Sequence, residues 1–86
     1  MTETHEHRLK RLAMRSMRRG IKEMDIILSR YAELRLEDLE PAALDRYDAL
    51  LSENDQDLYQ WVSGQITPPD EWRDMVDDIA RVAFQH

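Results

Sequence analysis

Apolar positions recur at helical spacing in five blocks along the chain, and no stretch alternates with period two over a useful length. The pattern therefore predicts helices and no sheet. Leu9, Leu12, Ala13 and Met17 lay one narrow stripe along a first helix, from about His5 to Arg18. Gly20 then fits the residue just past a helix end, where missing Cβ atoms are favoured. Ile21, Met24, Ile27, Leu28 and Tyr31 form an i, i+3, i+4 series for a second helix over about Ile21 to Leu34.

Pro41 suits the first position of a third helix, where a missing N–H costs nothing; it runs to about Ser52 with Leu44, Tyr47, Leu50 and Leu51 inward. Asn54 or Asp55 can cap a short fourth helix carrying Leu58, Trp61 and Val62, with Gly64 at its end. Ile66 is expected to plug back against the core. Thr67 with Asp70 resembles a capping arrangement, with Pro68 opening a fifth helix that runs to about Ala83 and buries Trp72, Met75, Val76, Ile79 and Val82. The expected fold class is all-α, a compact five-helix bundle forming a single domain over residues 1–86, with residues 1–7 frayed.

Charge changes this picture more than composition does. Hydrophobic residues make up 42% and charged residues 35%, which suits a small folded helical domain. The net charge of −6 hides an asymmetry: residues 1–30 carry eight Lys/Arg against four Asp/Glu, and residues 31–86 carry four against fourteen. Such a split can steer the protein onto a partner, or it can be internal complementarity between a basic helix and an acidic body. Both readings stay open at this level. The change of sign falls at Arg18-Arg19-Gly20-Ile21-Lys22-Glu23-Met24-Asp25, which reads either as a helix junction with solvated charges or as a docking surface.

Several function classes lose support. There is no cysteine, so disulfides, thiol nucleophiles and cysteine-based metal sites are excluded, and a reducing, cytoplasmic compartment is expected. His5 and His7 diverge on a helix, because neighbours on one face are three or four apart, so a metal site is not expected there. The serines Ser16, Ser29, Ser52 and Ser63 have no internal histidine to activate them, and a bundle this small has little interior for a pocket. No catalytic residues are assigned. A pI of about 4.9 argues against nucleic acid as a partner. No apolar run approaches the ~20 residues of a membrane span. The opening residues look like neither a secretory signal nor a mitochondrial transit peptide.

Two segments together carry a resemblance. Arg19-Gly20-Ile21-Lys22-Glu23, extended from Arg18 to Asp25, is similar to the Arg-Arg-Gly-x-x-Glu-hydrophobic-Asp signature of the small FAD assembly factors of succinate dehydrogenase (SdhE-type). Asp55-x-Asp57-Leu58-Tyr59-x-Trp61-Val62 resembles a second block of that family, and the likeness covers about residues 8–83. It implies a non-enzymatic, bacterial assembly factor that binds the flavoprotein subunit of succinate dehydrogenase, and that of fumarate reductase in many bacteria. Such factors promote covalent attachment of FAD to a histidine of that subunit. No tightly bound cofactor is expected, because FAD belongs to the partner. The partner-binding residues implied are Arg18, Arg19, Gly20, Glu23, Asp25, Asp57 and Tyr59, on a monomer. The alternative is an antitoxin-like or regulatory protein-binding module.

Overall fold

In the computed structural model, residues 3–84 are described. Met1 and Thr2, part of the stretch expected to fray, lie outside them, as do Gln85 and His86. Five α-helices follow one another: α1 (His5–Arg15), α2 (Lys22–Arg35), α3 (Pro41–Leu50), α4 (Asp55–Val62) and α5 (Arg73–Phe84), with single 3-10 turns at Leu36–Asp38 and Asp70–Trp72. The all-α, five-helix expectation is met, and no strand occurs among the described residues.

α2 is the element the others pack around. It contacts α1, α4 and α5, and its Met24, Leu28 and Tyr31 are fully buried. These are three members of the series read from the sequence, and each buried side chain of this size contributes about 1.5–3 kcal/mol through removal from water. Leu12 of α1, Leu44 and Tyr47 of α3, and Leu58 of α4 complete the interior without exposure above 1%. The rings of Tyr31 and Tyr47 meet at 5.4 Å with a 38° tilt. Trp61, Trp72 and Val82, expected inside, are partly buried against this core.

Local chemistry explains most helix ends. Thr4 Oγ1 accepts the His7 N–H at 3.1 Å, so α1 is already helical at His5, within the stretch expected to fray. Asn54 rather than Asp55 caps α4, its Oδ1 accepting the Gln56 N–H at 2.8 Å. Gly64 stops that helix with φ +84°, a left-handed backbone that glycine adopts without strain.

Three expectations are corrected. α1 ends at Arg15, one turn early, because the Ser16 side chain bonds back to the Leu12 carbonyl at 2.8 Å and sits in the core against Tyr47. Met17 therefore lies beyond the helix and is half exposed. Ile66 does not plug the core; its N–H bonds to the Gln60 carbonyl at 3.1 Å and its side chain stays half exposed. Thr67 does not cap α5, which starts only at Arg73 after the 3-10 turn.

The charge asymmetry resolves largely inward. Arg8 pairs with Asp45, Arg11 with Glu3 and Asp48 at 2.8 and 2.9 Å, and Arg15 with Asp48. The basic face of α1 is thus zipped onto the acidic face of α3. Hydrogen bonding from Arg11, followed by Arg15, holds the Asp48 carboxyl below the usual carboxylate range.

Candidate protein-docking site

The loop between α1 and α2 carries the first of the two motif-bearing segments. Arg18 occupies the left-handed region at φ +55°, the one non-glycine residue with positive φ among the described residues. Its N–H donates to Asp25 Oδ2 at 2.9 Å, while Ser29 Oγ donates to Asp25 Oδ1 at 3.2 Å. Asp25 reaches back from the first turn of α2 and braces the loop. The Arg18 side chain is left facing solvent, with no ion pair among the described residues.

Arg19 turns the other way. Its Nε donates to Asp55 Oδ1 at 2.8 Å, Nη1 to the Arg15 carbonyl at 2.9 Å and Nη2 to the Leu51 carbonyl at 2.9 Å. Those carbonyls belong to the C-terminal ends of α1 and α3, where the helix dipole favours a cation. Asp55 sits at the first residue of α4, where the dipole favours an anion. Its second oxygen, Oδ2, accepts the Gly20 N–H at 2.6 Å. One carboxylate therefore joins the Arg-Gly loop to α4, and with it the two segments singled out in the sequence.

Gly20 does not take a positive φ, so it is not the helix-end glycine expected from its position; Arg18 takes the left-handed conformation instead. Space at 20 is tight. A Cβ there would stand 3.1 Å from Asp55 Oδ2. The residue itself is exposed, leaving bare backbone on the outer side of the loop.

Beside it, Glu23 and Tyr59 line one shallow cleft of about 270 Å³ with Ile26, Ile27, Ala83 and Phe84. Glu23 is exposed, Tyr59 is half-buried against the core, and Asp57 stands in solvent on α4. The structure thus brings Gly20, Glu23 and Tyr59 to one edge, turns Arg18 outward, and spends Arg19 and Asp25 on holding the loop. Sequence reasoning read Asp55 as a cap candidate and a member of the second block but not as the partner of Arg19 and Gly20, and it missed Ile26 and Phe84, which are 60% and 56% exposed. Ile26 could have been found: it is an isoleucine off the apolar series of its own helix. Among the described residues no three His, Asp or Glu side chains converge as a metal site. No helix among them is long and apolar enough to cross a membrane.

This edge, with its Arg-Gly-x-x-Glu loop clamped to an Asp-Leu-Tyr helix, can be compared with known proteins. The family described as flavinator of succinate dehydrogenase, Sdh5, matches residues 10–83. The chain belongs to this family. Sdh5-family relatives with curated names include succinate dehydrogenase assembly factor 2, mitochondrial, of Meyerozyma guilliermondii, 45% identical over 75 residues, covering 84% of this chain and 56% of that protein. The protein of the same name from Scheffersomyces stipitis is 45% identical over 75 residues, with 84% and 50% covered, and that of Kluyveromyces lactis is 42% identical over 74, with 83% and 45% covered. The chain spans about half the length of the curated relatives it matches. Their names overturn the expectation of a cytoplasmic protein and lend none to a bacterial one: each is called mitochondrial. The lack of cysteine spoke to redox conditions and carried no address.

Proposed function

We propose that this Sdh5-family chain docks on the flavoprotein subunit of succinate dehydrogenase and promotes covalent attachment of FAD to it. The contact surface is the edge of Arg18, Gly20, Glu23, Asp57 and Tyr59, with Arg19 and Asp25 holding the loop that carries it. One observation supports it above the others: Asp55 binds the Gly20 N–H, so that two motif-bearing segments far apart in the chain form one exposed edge.

The chemistry of the edge suits docking rather than turnover. Bare backbone at Gly20 lets a partner chain approach closely, the outward Arg18 and Glu23 supply charges of both signs, and the cleft at Tyr59 accepts an apolar group. The flavin and its acceptor histidine are supplied by the partner, and the flavin brings its own bond-forming reactivity. The contribution of this chain is to hold the flavoprotein in the arrangement where the two meet, a positional effect supplied in trans. The protein acts as a monomer and without catalytic residues of its own. The fumarate reductase flavoprotein, where present, is a second client.

The test is deletion of the gene, with covalent flavin on the succinate dehydrogenase flavoprotein followed by in-gel fluorescence. Loss of fluorescence at unchanged flavoprotein level is expected. Undiminished covalent flavin in the deletion strain would sink the proposal.

A further inference from the structure

Arg19 lies within the Arg-Gly-x-x-Glu signature, yet its guanidinium faces the protein. Its side chain is only 12% exposed and that of Asp55 16%. Three of its nitrogens are occupied, by Asp55, by the Arg15 carbonyl and by the Leu51 carbonyl. Little of the fork remains to meet a partner. Asp55 is equally committed, with one oxygen on Arg19 and the other on the Gly20 N–H.

We propose that Arg19 and Asp55 form a latch that presents Gly20, so that both serve docking as positioning residues and neither touches the partner. The inference rests on the docking reading of this edge. Arg19, anchored on the C-terminal ends of α1 and α3, fixes the direction of the Asp55 carboxylate. The carboxylate in turn fixes the Gly20 backbone against the start of α4. An Arg fork is required, since a Lys ammonium cannot span a carboxylate and two carbonyls in separate directions. The outward Arg18 is the contrasting case, a charge held at the surface by the bond from its own backbone to Asp25.

The test is a double-mutant cycle on the full chain: R19Q, D55N and R19Q/D55N, each titrated calorimetrically against purified, FAD-free succinate dehydrogenase flavoprotein. R19K and R18Q are measured beside them. All are compared at a temperature where circular dichroism shows each fully folded. Each latch variant is expected to weaken binding by about tenfold, and the double variant no further than the worse single, because coupled residues do not add. R19K should fall with R19Q, whereas the R18Q loss should multiply with it. Losses from R19Q and D55N that multiply would mean that Arg19 meets the partner directly, and full affinity retained by R19K would mean that no fork is needed at 19; either result would overturn the latch.

Amide hydrogen exchange of the free protein gives a second readout that needs no partner. The Gly20 N–H should exchange at least about tenfold faster in D55N and in R19Q than in the parent chain. Unchanged exchange in both would overturn the latch. A parent chain that fails to bind the flavoprotein would overturn the docking reading and with it the docking role of the latch, while the exchange rates still decide whether the latch exists.

Discussion

Arg18 and Asp25 are joined by a bond that runs from backbone to side chain: the Arg18 N–H donates to Asp25 Oδ2 at 2.9 Å, with Arg18 held at φ +55°. A left-handed arginine costs about 1 kcal/mol relative to glycine at the same angles. The fold thus carries a small strain at a residue whose side chain has no internal work, which is the pattern expected where the side chain is needed outside.

Arg18→Gly should relieve that strain and leave the brace to Asp25 intact, since the bond uses backbone only. The melting temperature is expected to hold or to rise by a few degrees, at about 4–8 °C per kcal/mol for a domain this size. Flavinylation should nonetheless fall. Circular dichroism melts paired with in-gel flavin fluorescence check this, and a variant with unimpaired flavinylation would remove Arg18 from the docking edge.

Gly20 offers a graded series. In Gly20→Ala the new Cβ, 3.1 Å from Asp55 Oδ2, pushes the carboxylate by a few tenths of an ångström. That cost is partly offset by the reduced freedom of the unfolded chain, so a net loss below about 1 kcal/mol is expected. Gly20→Arg is expected to stay helical by circular dichroism yet to abolish covalent flavin on the client. Retained flavinylation in Gly20→Arg would take Gly20 out of the interface.

Acid should loosen the seam between α1 and α3. Hydrogen bonds from Arg11 and then Arg15 lower the Asp48 pKa below its ordinary value in the folded protein. The stabilisation is therefore complete above the unfolded-state pKa of about 4 and is lost as pH falls through the lowered folded value. Thermal melts between about pH 6 and pH 2 should show the decline, and Asp48→Asn should flatten part of it. Identical pH profiles for both proteins would show that the seam carries no linkage.

Alkali acts at the buried neighbour of the same seam. Burial, its main cause, pushes the Tyr47 phenol up to about 12, against a favourable bond to Ser16 at 2.6 Å. An unfolded tyrosine loses its proton near pH 10, so between about pH 10 and 12 the unfolded state binds fewer protons and stability falls as pH rises. The loss amounts to roughly 2–3 kcal/mol, at 1.36 kcal/mol per unit. Absorbance at the phenolate band should rise together with the loss of helical ellipticity. Tyr47 ionising while the helices remain intact would contradict this. Tyr47→Phe should remove this part of the alkaline decline.

Much of this molecule could be read along the chain. Met24, Ile27, Leu28 and Tyr31 announced α2, and Leu44, Tyr47 and Leu50 announced α3, because a 3.6-residue period has one structural meaning. Asn54 and Gly64 marked the two ends of α4 for equally local reasons. The misplacements share one cause. Met17 and Ile66 fit the apolar pattern but fell outside the core once the serine at 16 ended α1 early and the chain after Gly64 turned outward. A periodic stripe does not state where a helix stops.

By itself, the sequence determined the five helices, the residues that fill their centre, the absence of cysteine chemistry, and a charged loop around Gly20 with a second segment at Asp55–Val62. These follow from spacing and from what single side chains can do. Only the tertiary structure decided that the arginines of α1 are largely spent on α3, that Arg19 faces inward while Arg18 faces out, and that Gly20 stands bonded against a carboxylate of α4. Hydrogen bonds and ion pairs between residues more than thirty positions apart leave no periodic trace, and their partners are chosen by packing.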